Sequence, residues 1–147
     1  MKARSRPLVV LIADDDPGDV MLIEEALEAT GTAITVHVAR DGQEAVAFLQ
    51  RTGEYADVPR PDVVLLDLNM PRKNGRQVLA EIKSDPRLAS IPILVFTTSQ
   101  DPDDIRTAYT LHANAYVTKP INLDDFTTTV ARIEEFFTRI ADLPAAG

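Results

Sequence analysis

Between Pro61 and Pro71 the chain reads Pro-Asp-Val-Val-Leu-Leu-Asp-Leu-Asn-Met-Pro. Four apolar residues, half of them β-branched, run straight into Asp67. An unbroken apolar run bounded by prolines predicts a strand covered on both faces, as at the centre of a parallel sheet. An aspartate in the middle of such a strand would be very costly to bury. At the last residue it emerges instead at the carboxyl edge of the sheet, where open α/β sheets bind their ligands. Asp67 is therefore the first candidate for a working carboxylate.

The layout recurs along the chain. Leu8 to Ala13 is a second buried-strand run and ends in Asp14-Asp15-Asp16-Pro17. Asp16 suits the N-cap and Pro17 the first helical position, so a helix should open there and stop at Gly31. Ile34 to Val38 alternates like a strand with one face less covered. Asp41-Gly42-Gln43-Glu44 resembles a capping box and opens a helix to about Gln50. After the polar connection Thr52 to Pro61 comes the Asp67 strand, then Asn74-Gly75 as a turn signal before a helix ending near Asp85-Pro86. Ile91 to Phe96 forms a further strand running into Thr97-Thr98-Ser99. Asp101-Pro102 repeats the cap and proline, for a helix burying Ile105, Ala108 and Tyr109. Asn114 to Val117 is a short last strand before Thr118-Lys119-Pro120, and Asn122 caps a final helix.

Strict alternation of strand and helix predicts a parallel sheet with helices on both faces, joined by right-handed crossovers. One domain is expected over 8–143, with short tails at 1–7 and 144–147. The tail cations Lys2, Arg4 and Arg6 are expected to be solvated. A net charge of −8 argues against nucleic-acid and anionic-lipid partners. No apolar run is long enough for a membrane span, and the chain has no cysteine. A cytoplasmic protein is the expectation.

In such a sheet the strand ends meet at one edge. The first delivers Asp14 and Asp15, the third Asp67, the fourth Thr97 and the fifth Lys119. Three carboxylates there repel; a pair about 4 Å apart costs roughly 4 kcal/mol at an effective dielectric near 20. A hard divalent cation, the Lys119 ammonium, or a proton held by a raised pKa could offset this. Mg²⁺ suits the oxygen-rich set, and such a site fits acyl-phosphate chemistry with Asp67 as nucleophile.

Asp14-Asp15, Asp67, Thr97 and Lys119-Pro120 together resemble the signature of response-regulator receiver domains of two-component signalling. The resemblance runs from about Leu8 to Leu143. Within that family the chain is most similar to stand-alone regulators of cyanobacterial and bacterial phytochromes. That likeness rests on Asp16-Pro17-Gly18-Asp19, the loop from Gly53-Glu54-Tyr55 to Pro59-Arg60-Pro61, Asp67-Leu68-Asn69-Met70-Pro71, Thr97-Thr98-Ser99, and the tail Ile133-Glu134-Glu135-Phe136-Phe137 to Leu143-Pro144.

The resemblance implies a flavodoxin-like (CheY-like) sheet of order 2-1-3-4-5. It implies that Asp67 accepts a phosphoryl group from a sensor histidine kinase, of phytochrome type by the sub-family likeness. Mg²⁺ would be held by Asp15, Asp67 and the Asn69 main-chain carbonyl, with Asp14, a glutamate in many members, acting through water. Tyr116 becomes an aromatic switch, Asn69 and Ser99 tune hydrolysis of the acyl-phosphate, and the Lys119-Pro120 bond is cis. The product is a conformation for a downstream target that the sequence does not name. An aspartyl phosphatase is the enzymatic alternative, but its general acid two residues after the nucleophile is here Asn69. A receiver-like binding module without phosphorylation is the other alternative. His37 and His112 have no ligand spacing.

The last helix carries Leu123, Phe126, Val130, Ile133, Phe137 and Ile140 at spacings of three and four. That stripe fits a core face or a coiled-coil seam. The adjacent Phe136 widens it, and a homodimer through this helix is expected.

Overall fold

The computed structural model describes residues 6–144. Five parallel strands, β1 (Leu8–Ala13), β2 (Ile34–Ala39), β3 (Val63–Leu66), β4 (Ile93–Thr97) and β5 (Ala115–Thr118), form one sheet of order β2-β1-β3-β4-β5. Helices α1 (Pro17–Ala29), α2 (Gly42–Gln50), α3 (Gly75–Lys83), α4 (Pro102–Thr110) and α5 (Leu123–Glu135) connect the strands and close the fold. This is the expected CheY-like arrangement. The inner strands β1, β3 and β4 are buried throughout, whereas β2 and β5, at the sheet edges, are mostly half-covered. Continuous apolar runs mark the former and weaker patterning the latter, as coverage on two faces requires.

Alternation along each strand divides the core. Val10, Ile12, Leu65 and Phe96 pack with α1 and α5. Leu11, Val64, Leu66 and Val95 pack with α2, α3 and α4 on the other face. Asp16, Asp41, Asp101 and Asn122 cap their helices as the sequence predicts. Asn74 does more than turn the chain: it forms a reciprocal capping box with Gln77 at the start of α3. The next residue, Gly75, leaves no room for a side chain. A Cβ there would lie 2.5 Å from the carbonyl oxygen of Asp67. Helix α3 therefore starts in contact with the backbone that carries the candidate nucleophile.

Four expectations change. Arg6 is not merely solvated: its guanidinium donates to both carboxylate oxygens of buried Asp62, at 2.9 and 2.8 Å. Lys2 and Arg4, like most of the 1–7 and 144–147 tails, lie outside the described residues. Helix α4 buries Ala108, but Tyr109 stays 49% exposed because α4 lies beside the half-covered edge strand β5. The apolar stripe of the last helix is broken at both ends. Phe126, Val130 and Phe137 are core, while Leu123 and Ile140 face solvent. After Glu135 the helix widens into a π-turn over Phe136–Ile140. There the Thr138 hydroxyl donates back to the Glu134 carbonyl (2.9 Å), the kind of intrusion that deforms a helical ladder.

The fourth change is at Lys119-Pro120. No cis peptide bond occurs among the described residues. The strand aims the lysine instead: the Lys119 N–H donates to the Thr97 carbonyl at 2.7 Å, extending β4–β5 pairing to the residue itself.

Candidate functional site

The ends of β1, β3, β4 and β5 bring the predicted residues into one pocket. Asp14 and Asp67 follow directly on β1 and β3, and each is tied to the neighbouring strand by its own N–H. Asp14 donates to Ala39 at 3.0 Å and Asp67 to Ala13 at 2.9 Å. Their side chains are buried, whereas Asp15 is open to solvent. One carboxylate oxygen each from Asp14, Asp15 and Asp67 lie within 4.8 Å of one another. Hard oxygen donors gathered from two strands, one of them exposed, fit a divalent cation that keeps part of its water shell.

Lys119 Nζ sits among the acids and is itself buried. It donates to Asp14 Oδ2 at 2.7 Å, Asp19 Oδ2 at 2.8 Å and Asp67 Oδ2 at 3.2 Å. All three ammonium donors are thus used on carboxylates. The other Asp67 oxygen accepts from the Thr97 hydroxyl at 2.8 Å and from the Asn69 N–H at 3.2 Å.

One ammonium serving several acids leaves negative charge over. Burial raises the Asp14 carboxyl to about 6, against the lowering effect of its bonds to Lys119 and the Asp16 N–H. Burial disfavours the Lys119 charge, but its bonds to Asp14 and Asp19 and the charges of Asp14 and Asp67 outweigh this and hold it above the ordinary lysine range. The Lys119 ammonium thus offsets part of the repulsion, and Asp14 takes up a proton more readily than an ordinary aspartate.

Asp19 is a member of this pocket that sequence reasoning missed. Its signal was present, because it stands three residues after the cap Asp16, in the first turn of a helix opening at the same edge. Asn69 is exposed at the rim. Tyr116 is half-buried, and its hydroxyl donates to the Ser99 carbonyl at 2.9 Å. The Ser99 hydroxyl donates to Asp104 Oδ2 at 2.5 Å, and Asp104 pairs with Arg76 of α3. This chain links β5, the loop after β4, α4 and α3, and neither Asp104 nor Arg76 stood out in the sequence. His37 takes no part. Its Nε2 is the one buried side-chain polar atom among the described residues without a hydrogen-bond partner, and its ring packs on Phe48.

The sequence pattern of the Response regulator receiver domain family matches residues 10–131. Response regulator Rcp1 of Synechocystis sp. is 46% identical over 140 residues, 95% of either chain. The crystal structure of the phosphorylated cyanobacterial phytochrome response regulator RcpA superposes with a TM-score of 0.92 at 47% identity, covering 95% of this chain and 99% of that one. The Mn²⁺-bound form of Rcp1 gives a TM-score of 0.90 at 46% identity, covering 95% and 100%.

Proposed function

The chain belongs to the response-regulator receiver family, and from that premise we propose that Asp67 is the acceptor of a phosphoryl group from a histidine of a sensor kinase. The observation that carries this reading is the convergence on Asp67 of Asp14 and Asp15 on one side and Lys119 and Thr97 on the other.

An Asp67 carboxylate oxygen attacks the phosphorus of the donor. The P–N bond breaks, and the released imidazole recovers its proton from solvent. Mg²⁺ would be held by Asp14, Asp15, Asp67 and the Asn69 carbonyl; when bound, it neutralises phosphoryl oxygens. Lys119 contributes a fixed positive charge for the same oxygens. Phosphorylation converts Asp67 from a carboxylate into a mixed anhydride: the carboxylate charge is lost and the phosphoryl group brings about two, a net gain of about one negative charge together with new acceptor oxygens. The Thr97 hydroxyl turns from Asp67 to the new acceptor oxygens. Its movement frees space toward which Tyr116 rotates, exchanging its bond to the Ser99 carbonyl for core packing. Hydrolysis by water, with Asn69 and Ser99 at the rim, resets the switch. The protein acts on nothing beyond its own acyl-phosphate.

The acceptor assignment is tested by incubation with acetyl phosphate and Mg²⁺, followed by intact mass measurement. One phosphoryl adduct that is absent in Asp67→Asn is the expected result. An adduct that persists in Asp67→Asn overturns it.

The likeness to Rcp1 and RcpA supports a phytochrome-type kinase as the donor. Phosphotransfer from a panel of purified kinases, with a bacteriophytochrome preferred, is the measurement that decides. We also propose a homodimer through the end of the last helix. Phe136 and Ile140 are 47% and 63% exposed there, and Phe136 borders an apolar groove that includes Ile133, Val117 and Leu143. Phe137, being core, is unsuitable for the test. Changing Phe136 and Ile140 to serine should halve the mass seen by sedimentation; an unaltered mass rejects the dimer.

A further inference from the structure

The connections from helix back to strand lie at the amino edge of the sheet, opposite Asp67, and two of them, α2 to β3 and α3 to β4, bring three arginines to one cavity. Arg51 follows α2, Arg60 precedes β3, and Arg87 lies between α3 and β4. With Leu49, Gln50 and Leu88 these three guanidinium residues line a cavity of about 170 Å³. In a chain of net charge −8, three cations on one small cavity run against the overall composition.

Of the three, only Arg87 has a carboxylate partner among the described residues. Arg87 pairs with Asp85 at 3.2 Å. Arg60 donates only to uncharged oxygens, the Arg87 carbonyl at 2.7 Å and the Ser90 hydroxyl at 3.0 Å. Those two bonds hold its guanidinium in place and leave the remaining donors available. Arg51 has no ion pair among the described residues. It sits at the C-cap of α2 in the left-handed region, with φ 56° and ψ 49°. Glycine is the usual occupant of such a position at a helix end, because a Cβ is disfavoured there. Arg72 and His112 share this backbone region, and only at Arg51 does the side chain border the cavity.

We infer that this cavity is a binding site for a small multiply charged anion of the diphosphate class. Planar guanidinium forks match phosphoryl oxygens, and two uncompensated positive charges call for a ligand with at least two negative ones. The volume is that of about six waters, enough for a diphosphate head with any attached group left in solvent. Leu49 and Leu88 supply a dry floor. A nucleic-acid strand is disfavoured by the charge of the rest of the molecule.

The test is amide chemical-shift titration of the full chain with inorganic diphosphate, in metal-free buffer without chelator, since a polycarboxylate would compete. Saturable shifts at residues 49–51, 60 and 87–88 are expected, unchanged in Asp67→Asn. Arg51→Gly removes the guanidinium while relieving the backbone. It should bind at least about tenfold more weakly with an unchanged or higher melting temperature, so lost binding cannot be lost folding. Arg60→Gln should weaken binding similarly. A parallel titration with a nucleoside diphosphate separates the two sources of this chemistry: equal affinity assigns the head group alone, tighter binding assigns the nucleotide. No saturation at about 10 mM, weaker than two charge-assisted contacts should give, overturns the site. So do wild-type affinity in both arginine variants, and binding of an acidic peptide but not of diphosphate.

Discussion

Two lysines of this protein each place three hydrogen bonds inside the fold, and they titrate in opposite directions. Lys119, at the carboxyl edge of the sheet, donates to three carboxylates and is held above the ordinary lysine range. Lys83, at the end of α3, donates to the carbonyls of Ala89 and Ile91 at 2.9 and 2.8 Å and to Asn114 Oδ1 at 3.0 Å. Its partners are neutral, and burial lowers its pKa. The number of bonds is the same, but the charge of the acceptors differs. Lys83 fastens the turn before β4 to the residue before β5, whose side chain also accepts from the Ile93 N–H. Lys119 balances charge in a pocket that has an excess of it. One lysine is a clamp, the other a counter-ion.

Removing each cation should show the difference. Lys119→Met strands buried acids, and in metal-free buffer should cost about 3–5 kcal/mol of unfolding free energy. Saturating Mg²⁺ should restore much of that, because a divalent cation can take over the lost charge. Urea melts with and without Mg²⁺ measure both quantities, and a loss indifferent to Mg²⁺ would mean that Lys119 is only another clamp. Lys83→Met leaves three uncharged acceptors unmet and should cost about 1–3 kcal/mol, with no Mg²⁺ dependence and with phosphoryl acceptance intact.

The smallest effect is set by pH. Asp14 titrates near 6 in the fold, above its ordinary 3.8. Its protonated form is favoured by folding, so its contribution to stability is complete below about 4 and is lost as pH rises through about 6. Metal needs the ionised form, so Mg²⁺ affinity should fall as pH drops below about 6, approaching tenfold per unit where one proton competes. Calorimetric titration between pH 5 and 8 checks this; a flat profile would remove Asp14 from the metal's surroundings.

Much of the fold was legible because the inner strands must be apolar on both faces, so β1, β3 and β4 announce themselves as runs. The site was legible for a related reason. An acid or lysine at the end of such a run has one place to go, and Asp14, Asp67 and Lys119 go there. Asp19 was harder to see, because it enters from the first turn of a helix whose angle to the sheet is set by packing. Lys83 reads in sequence as an ordinary cation in the last turn of a helix; only the tertiary placement of Ala89, Ile91 and Asn114 buries it. The π-turn after Glu135 was invisible for a different reason. Spacings of three and four fit a regular helix to Ile140, and the bond from Thr138 to Glu134 that accompanies its widening is not part of that pattern.

The missing side chain at Gly75 gives the site a direction. On one flank, the first turn of α3 lies against the main chain of Asp67 and Leu68, so tightly that a methyl group would not fit. On the other flank the direct contact is a hydroxyl that can swivel, Thr97 donating to Asp67; behind it the Ser99 hydroxyl donates to Asp104 and the Tyr116 hydroxyl to the Ser99 carbonyl. A load placed on Asp67 therefore meets a rigid wall on one side and hinged contacts on the other. If Asp67 is phosphorylated as proposed, the side free to yield is that of β5 and α4, much as a door swings away from its jamb.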